Sequence, residues 1–456
     1  MSKEIEDHVR SLGLDAYVVG GAVRDELLGG DPKDADFVVP GVDLESLRAA
    51  LESHGRTEEL VVAGRPVGVR YHPHDRRLRT RVPAGIEIAP VRREVSTGPG
   101  RHDFDIVVDP SATVEEDLAR RDFTVNAMAR RLEDGMLVDP FGGREDLAAR
   151  VLRTVSPRSF GDDPLRLVRG LRFVSQLGLE PDEQTRRQMR EHAAAVRLVS
   201  AERIGGGLAA DGLGELSKLL LGSRPAHALR LARDTGVLVE LIPEFAPAIG
   251  LDAKSSDHAL TVDEHTFAVV QAAADAGTTL RVRLAALLHD LGKPEGGPDH
   301  AAAGARIADA VLRRLRYPND LRRHVVELVR IHPFRLHEGA VLDGVEARRL
   351  LADHGDDLVL DLLEHWRADV TGRDDTPVRR EKLERLARFR AVVEAELGSP
   401  HRLQDLAVDG DDLIALGYEE GPAVGRTLRS LLDEVVEDPR RNDRERLLER
   451  AGELLR

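Results

Sequence analysis

Two aspartates one residue apart, Asp34 and Asp36, follow a glycine pair, Gly20 and Gly21, near the start of the chain. The valines before the glycines and the Phe-Val-Val after the aspartates are typical of short buried strands. Because residues i and i+2 of a strand point to the same side, we expect both carboxylates to lie together. Carboxylate oxygens suit Mg²⁺, and glycine N–H groups can approach phosphate oxygens. The pattern predicts metal-assisted nucleotidyl transfer, with a structural turn as the alternative.

A third carboxylate, Glu87, lies in Ile86-Glu87-Ile88-Ala89, an apolar alternation typical of another strand. Beside the aspartates, this carboxylate would assist metal binding or deprotonate an attacking hydroxyl. The alternative is an exposed strand glutamate.

Arginine, carboxylate and amide side chains meet in residues 120–129, which include Arg121, Asp122 and Asn126. Guanidinium groups pair with phosphate oxygens, whereas Asp122 and Asn126 can hydrogen-bond ribose hydroxyls. Further on, Asp163 and Arg166 lie three apart at the start of a predicted helix, hence on one face. They offer an acceptor and two donors that would mimic the pairing edge of a base. A surface ion pair is the alternative.

A second set of ligands is predicted around His289 and Asp290, in Leu-Leu-His-Asp-Leu-Gly-Lys-Pro. Adjacent His and Asp residues can bind a divalent transition metal together. We expect His265 upstream and Asp369 downstream to complete this site. Further ligands for a second metal position are predicted at His300, His324 and His332. The stretch resembles the signature of the HD-superfamily phosphohydrolases.

Composition limits the classes of protein to consider. A chain of 456 residues predicts several domains, and the absence of cysteine excludes disulfides and cysteine-built zinc sites. No apolar run approaches the roughly 20 residues of a membrane span, and the first residues do not form a signal peptide. We therefore expect a cytoplasmic protein with no membrane partner. The net charge of −15 disfavours a polyanionic partner, but residues 62–101 hold nine arginines against three acidic residues. That segment is a candidate nucleic-acid surface or a solvated loop.

The elements that must position these residues divide the chain in two. Up to about residue 140, apolar alternation and turn signals predict short strands at 17–20, 37–39, 59–62, 67–71, 86–89, 106–108 and 136–139. Helical patterning interrupts them at 44–54 and 114–120. Beyond that point helical spacing prevails. The predicted fold class is therefore α+β, a small mixed head followed by a long helical body.

Taken together, these stretches resemble the bacterial class II tRNA nucleotidyltransferase and poly(A) polymerase family. The blocks are Gly-Gly-x-Val-Arg-Asp-x-Leu-Leu-Gly before Asp-x-Asp, Arg-Arg-Asp-Phe-Thr-x-Asn-Ala, Asp-Pro-Leu-Arg, and Ser-x-Glu-Arg-Ile at 200–204. The resemblance implies a polymerase-β-like nucleotidyltransferase head at 1–142, a helical neck at 143–240, an HD-type body at 241–376, and a helical tRNA-contacting tail at 377–456.

The resemblance also implies roles for individual residues. Catalytic Mg²⁺ ions would be bound by Asp34 and Asp36, to which the strand pattern adds Glu87 as a third candidate carboxylate. The nucleotide-binding residues would be Gly20, Gly21, Arg24, Arg121, Asp122, Asn126, Asp163, Arg166 and Arg169. Asp163 and Arg166 would select CTP and ATP. One departure is Asp162, where family members usually have Glu.

Three activities share this scaffold: CCA addition to tRNA, CC-only or A-only addition, and poly(A) tailing. Segment 93–116 has full length, which disfavours CC-only addition, and segment 431–456 is acidic to mixed rather than strongly basic, which disfavours poly(A) tailing. CCA addition with tRNA, CTP and ATP is the preferred interpretation, and A-only addition follows it. An HD phosphohydrolase acting on RNA ends and a non-enzymatic RNA-binding protein are the alternatives of another class. The oligomeric state is not predicted.

Overall fold

The computed structural model describes residues 3–30, 36–62, 64–96, 104–206, 212–252, 259–296, 299–333 and 341–456. Asp34 and residues 97–103 of segment 93–116 therefore lie outside the described residues. The chain divides into two compact units. The first comprises residues 1–246 and 314–317, and the second comprises 247–313 and 318–456.

The first unit contains all the strands of the described chain. They are β1 (Tyr17–Val19), β2 (Asp36–Val39), β3 (Gly55–Val62), β4 (Arg65–Pro73), β5 (Ile86–Pro90), β6 (Arg92–Ser96), β7 (Phe104–Val108), β8 (Ala129–Arg131), β9 (Leu137–Val138), β10 (Val151–Leu152) and β11 (Glu180–Pro181). Seven of them form a mixed sheet in the order β3-β4-β5-β2-β1-β8-β9. Only β2 and β5 pair in parallel within that sheet.

Helices of the first unit cover the sheet and then continue beyond it. They are α1 (Lys3–Ser11), α2 (Gly21–Leu27), α3 (Leu44–Glu52), α4 (Arg76–Arg81), α5 (Val114–Ala119), α6 (Gly143–Ala148), α7 (Ser159–Asp162), α8 (Leu165–Leu177), α9 (Glu183–His192), α10 (Ala201–Ile204), α11 (Glu215–Leu220), α12 (Pro225–Asp234) and α13 (Val237–Leu241).

The alternation of side chains along the strands gives the sheet its two faces. Val19 and Val38 share one face and pack with Val114 and Leu118 of α5 in a common core. Helix α5 begins at a capping box in which Thr113 and Glu116 satisfy each other's backbone N–H groups. Asp36, two residues before Val38, therefore belongs to the face that α5 covers.

The second unit is helical throughout its described part. It contains α14 (Val262–Asp275), α15 (Leu280–Leu288), α16 (His300–Arg314), α17 (Asn319–Ile331), α18 (Gly344–His354), α19 (Asp356–Thr371), α20 (Pro377–Glu396), α21 (Gly410–Ala415), α22 (Pro422–Glu437) and α23 (Arg444–Leu455). None of the described helices combines the length and the apolar character that a membrane crossing requires.

The predicted α+β fold class is confirmed: a mixed sheet with helices is followed by a helical body. Four of the described strands were not predicted. Strands β10 and β11 have two residues each and pair only with each other. Strands β6 and β8 are longer. Their sequences, Arg-Arg-Glu-Val-Ser and Ala-Arg-Arg, lack apolar alternation, so that pairing with neighbouring strands decides their conformation. The boundaries of the four predicted domains stay predictions.

Replacing Arg348 with Met is expected to destabilise the second unit by about 2–4 kcal/mol. Its guanidinium donates to the carbonyls of Val436 (2.7 Å) and Glu437 (3.3 Å) at the end of α22, and it lies 2.9 Å from Glu396. The substitution would leave the buried carbonyl of Val436 and the partly buried carbonyl of Glu437 without their donor. Urea unfolding followed by the fluorescence of Trp366, the only tryptophan of the chain, would measure the loss.

The neighbouring Arg349 provides the matched control. Its side chain is 54% exposed and pairs with Glu437 on the surface. Surface ion pairs contribute about 0–1 kcal/mol, so Arg349→Met should change the free energy of unfolding little. Equal effects of the two substitutions would show that Arg348 does not cap α22.

Candidate active site and metal centre

Strand pairing places two predicted carboxylates beside each other. Asp36 is the exposed first residue of β2, and Glu87 is its direct partner on β5 in the parallel register. Across the antiparallel pair on the other side of β5, Arg70 lies opposite Glu87, with 2.7 Å between Nη2 and Oε1. Asp34, the predicted partner of Asp36, lies outside the described residues. The sheet edge therefore carries at least two oxygen ligands suited to a hard cation.

A cavity of about 240 Å³ opens on this face of the sheet. Its charged lining comprises Asp36 and Glu87 from the strands, Arg92, and Arg120 and Arg121 after α5. Burial lowers the pKa of Arg121 more than the nearby Asp117 and Asp36 raise it. A cavity lined by both carboxylates and guanidinium groups suits a metal-bound polyphosphate.

Gly20 allows Arg121 to reach this position. Its φ is +71°, and a Cβ at residue 20 would lie 2.4 Å from Nη1 of Arg121. The Gly20 N–H donates to the carbonyl of Met128 at 3.0 Å. The expectation that this N–H faces a phosphate is therefore replaced by a steric role. Gly21 begins α2, three residues before Arg24.

A chain of hydrogen bonds joins four of the predicted nucleotide-binding residues. Arg24 Nη1 donates to Asn126 Oδ1 (2.7 Å), and Asn126 Nδ2 donates to Asp122 Oδ1 (3.1 Å). Arg169 Nε donates to Asp122 Oδ2 (2.8 Å), and Arg169 Nη2 lies 2.7 Å from the same oxygen. Arg24 lies 102 positions from Asn126 and Arg169 lies 47 positions from Asp122, so the network joins distant segments and orients Asn126 and both arginines.

Asp122 is the ionised centre of this network. Burial would raise its pKa, but Arg169 and the Asn126 amide outweigh burial and hold the pKa well below its usual range. Its Oδ1 also accepts the Phe123 N–H at 2.9 Å. Both carboxylate oxygens thus already accept two donors each, which leaves little room for a direct bond to a ribose hydroxyl. In the structure Asp122 fixes Asn126 and Arg169, and its contact with a ribose hydroxyl stays a prediction.

Three residues absent from the predicted site, Phe173, Arg172 and Glu215, extend the network. The Phe173 ring has three guanidinium groups around it, with centroid distances of 5.3 Å to Arg24, 5.7 Å to Arg169 and 4.5 Å to Arg172. Glu215 lies 3.0 Å from Arg172 and 3.7 Å from Arg169. Burial lowers the pKa of Arg172 to about 10, against the opposing effect of Glu215.

Asp163 and Arg166 are held by separate partners. Asp163 Oδ1 accepts the Leu165 N–H at 3.0 Å, and Asp163 Oδ2 accepts from Arg203 Nη2 at 3.0 Å. Arg166 donates to the carbonyl of Arg120 (2.6 Å) and to Ser159 Oγ (3.1 Å). The two side chains therefore bond to different groups and not to each other, which argues against the simple surface ion pair. Arg203 belongs to the segment 200–204, which the sequence marked only as a motif.

In the second unit, the predicted histidine and aspartate ligands converge. His265 Nε2 lies 2.9 Å from Asp369 Oδ1 and 3.8 Å from Asp290 Oδ2, and His289 Nε2 lies 3.1 Å from the same Asp290 oxygen. His265, His289 and Asp290 are buried, and their ligand atoms lie within 4.8 Å of one another. His289 and Lys293 hold the pKa of Asp290 well below its usual range, despite burial, which raises it.

A second group shares Asp290 with the first. The Oδ1 atom of Asp290 lies 3.9 Å from His300 Nε2 and 3.8 Å from His332 Nε2. His324 does not join this group, because its Nε2 lies 2.9 Å from Asp361 Oδ2 at another place in the unit. The expectation that it shares the metal position was wrong.

His365 is a further member of the cluster that the sequence did not reveal. It is fully buried, with its ring 5.3 Å from that of His289 and 5.9 Å from that of His332. Within the described part of the chain, neither of its ring nitrogens has a hydrogen-bond partner. Its position four residues before Asp369, one helical turn away, was the available signal. Buried imidazole nitrogens without partners around a shared carboxylate fit divalent metal binding.

Comparison with known protein families agrees with this geometry. The family described as "Poly A polymerase head domain" matches residues 16–153. The one described as "Probable RNA and SrmB- binding site of polymerase A" matches 178–249, and the HD domain matches 262–381.

Curated relatives and solved structures extend the comparison. The Multifunctional CCA protein of Ralstonia nicotianae is 37% identical over 74% of this chain and 76% of its own length. The Multifunctional CCA protein of Neisseria gonorrhoeae is 38% identical over 67% of this chain and 70% of its own length. The Bacillus stearothermophilus CCA-adding enzyme in complex with CTP has 25% identity and a TM-score of 0.69, covering 99% of this chain and 96% of its own. The Thermotoga maritima CCA-adding enzyme complexed with tRNA is 22% identical with a TM-score of 0.60, and the match covers 100% of this chain and 97% of that one. At this identity the likeness shows the fold alone. The chain therefore belongs to the family of the multifunctional CCA proteins, which confirms the resemblance seen in its sequence.

Proposed function

We propose that this protein adds CCA to the 3′ end of tRNA, using CTP and ATP without a nucleic-acid template and releasing pyrophosphate. The observation that carries the proposal is the pairing of Asp36 and Glu87 beside a cavity lined by arginines. The names of the relatives and the CTP complex of the Bacillus stearothermophilus enzyme support it. Such a reaction belongs in the cytoplasm, where we place it.

Asp34, Asp36 and Glu87 would hold Mg²⁺, for which adjacent carboxylates at an exposed strand end are a suitable donor set. The metal supplies charge neutralisation at the phosphates and lowers the pKa of the attacking hydroxyl. Around it, Arg121 contributes positive charge to the cavity, and Arg24 with Gly21 borders the triphosphate. Most of the catalysis would come from positioning of the reactants and neutralisation of their charge.

The network centred on Asp122 would hold the sugar and phosphates. Asn126 donates one of its two amide N–H groups to Asp122, so that the other remains for a ribose hydroxyl. Arg169 is fixed on Asp122 and turned toward Phe173, within reach of an anionic ligand. Asp163 and Arg166 would then select the base by hydrogen bonds to its pairing edge, each with its own support.

The experiment that tests the proposal uses three tRNA primers, one lacking CCA, one ending after the first cytidine and one after the second. Each nucleotide is supplied separately, and product length is measured. Stepwise growth to CCA supports the proposal. Extension only of the CC-ended primer by ATP would indicate A-only addition, and long adenosine tails would indicate poly(A) polymerase. Phosphate release without lengthening would contradict nucleotidyl transfer.

Replacing Arg203 with Met should relax the choice of nucleotide. Without the guanidinium at 3.0 Å, Asp163 loses the partner that fixes its carboxylate, and the base-pairing edge it offers becomes mobile. We expect the preference for CTP over UTP, measured as the ratio of kcat/KM values on the primer lacking CCA, to fall by about tenfold or more.

Arg203→Lys should restore part of this preference, because the charge remains while the forked geometry is lost. Glu202→Gln is the matched control, since Glu202 faces Arg316 at 3.7 Å instead. An unchanged ratio in Arg203→Met, at a normal melting temperature, would remove Arg203 from base selection.

We also propose a second, hydrolytic activity in the HD region, acting on RNA ends such as 2′,3′-cyclic phosphates. The histidine and aspartate cluster around Asp290 carries this proposal, because its two ligand groups share one carboxylate. His265, His289, Asp290 and Asp369 would hold one divalent transition metal, and His300 and His332 a second. A bound metal supplies an activated water and neutralises phosphate charge.

A further inference from the structure

Helix α4 presents three adjacent arginines to solvent. Of its six residues, Leu78 is the buried anchor, whereas Arg76, Arg77 and Arg79 are exposed. The helix begins at Asp75, whose Oδ1 accepts the Arg77 N–H at 2.8 Å. The fourth arginine, Arg81, is neutralised by Glu4 at 3.2 Å. We call Arg76, Arg77 and Arg79 the α4 arginine surface.

No carboxylate of the described chain pairs with the α4 arginine surface within 4.0 Å. Other arginines of segment 62–96 behave differently: Arg70 pairs with Glu87, and Arg93 with Asp109 and Glu116. Among the described residues of this segment, three exposed arginines thus lie together within about one helical turn. Although the net charge of the chain is −15, the α4 arginine surface is positively charged and can attract an anionic partner.

The sheet topology places this surface at the catalytic edge. Helix α4 joins the end of β4 to the beginning of β5. Tyr71 near the end of β4 pairs with Ile86, and Glu87 pairs with Asp36 at the beginning of β2. The end of β4 and the beginnings of β5 and β2 therefore lie at the same edge of the sheet. The chain therefore enters and leaves α4 at the end of the sheet where Asp36 and Glu87 lie.

The return from α4 to β5 has a fixed geometry. Gly85 has a φ of +85°, and a Cβ there would lie 2.6 Å from Cγ of Arg70 and 2.9 Å from Cε1 of His72. The turn therefore packs directly on the side chain that holds Glu87. This packing fixes the return from α4 beside the residues that flank Asp36 and Glu87.

We propose that the α4 arginine surface binds the phosphate backbone of the RNA primer close to its 3′ end. The inference rests on the proposed function, because that reaction brings an RNA 3′-hydroxyl to the edge that α4 borders. Unpaired guanidinium groups suit phosphate oxygens, and they bind without reading the base sequence. An acidic protein would fit the charge but would not account for the location at the catalytic edge.

The test compares tRNA binding by wild type and the triple variant Arg76→Gln, Arg77→Gln, Arg79→Gln over a range of salt concentrations. Each phosphate contact contributes about 0.7–0.9 to the slope of log K against log salt. We expect the slope to shrink by about 2 and the affinity at low salt to fall about 10- to 100-fold. The KM for CTP at saturating tRNA should not change. A matching lysine triple variant should keep the slope.

The control removes three other exposed arginines, Arg313, Arg323 and Arg330, each of which pairs with an acidic residue of its own helix. It changes the net charge equally and should leave the slope nearly unchanged. Equal slopes in the test and control variants would overturn the proposal. So would a slope difference that appears with whole tRNA but not with a short acceptor-stem hairpin, because the contact would then lie far from the 3′ end. Failure of the wild type to lengthen tRNA would instead contradict the proposed function.

Discussion

Replacing Asp36 with Asn is expected to reduce nucleotide incorporation about a thousandfold or more and to leave tRNA binding nearly intact. The amide keeps the size of the side chain but removes the charge that would bind Mg²⁺ beside Glu87. Loss of several kcal/mol of transition-state stabilisation corresponds to a change of that size. Single-turnover incorporation of CTP and ATP, with tRNA affinity measured separately, would show both effects.

Glu133→Gln is the matched control, since Glu133 is an exposed carboxylate of the same unit that pairs with Arg131 on the surface. It should behave as wild type. Retention of activity in Asp36→Asn would show that this carboxylate binds no catalytic metal. A parallel loss of tRNA binding would indicate misfolding of the head rather than loss of the metal.

The candidate carboxylate site of β2 and β5 was accessible to prediction because its signals are local. Apolar residues around Asp36 and Glu87 mark two strands, and alternation fixes which side chains share a face. The register that sets Glu87 directly beside Asp36 is not local, because it depends on β2 and β5 becoming neighbours in the sheet. The structure supplies that register, and with it the pairing of Glu87 with Arg70.

The support of the nucleotide-binding residues could not be predicted from short motifs. Glu215 lies 43 residues from Arg172, and Arg203 lies 40 residues from Asp163. Each pair is formed by two segments that are distant in the sequence and pack together. A short motif that contains one partner therefore does not predict the other. For the same reason the sequence suggested that Asp122 binds ribose, whereas its oxygens are already engaged within the protein.

Two histidines predicted as ligands of the same metal position, His324 and His332, lie in different surroundings in the structure. Residue type alone made His324 and His332 equal candidates, yet His332 faces Asp290 and His324 faces Asp361. Both lie on or directly after helix α17, eight positions apart, and the orientation of that helix in the unit separates them. The histidines of the sequence therefore predict that a metal site exists, but they do not predict which of them are its ligands.

Replacing Asp290 with Asn should abolish metal binding in the second unit while leaving CCA addition unaffected. Asp290 is the residue common to both ligand groups, so that its charge is lost to both metal positions at once. We expect the affinity for a divalent transition metal to fall at least about a hundredfold, with loss of 2′,3′-cyclic phosphodiesterase activity. Metal content of the purified protein gives a readout that does not depend on activity.

His324→Gln is the matched control, because it removes a histidine of the same unit that pairs with a different aspartate. It should retain metal and hydrolysis. If Asp290→Asn fails to fold, His300→Gln provides the second test: His300 is 31% exposed and belongs to one ligand group only, so it should lose part of the metal. Full metal content in both variants would exclude this cluster as the centre. A wild-type protein that carries its full metal content but shows no hydrolysis would make the metal structural and would contradict the proposed hydrolytic activity.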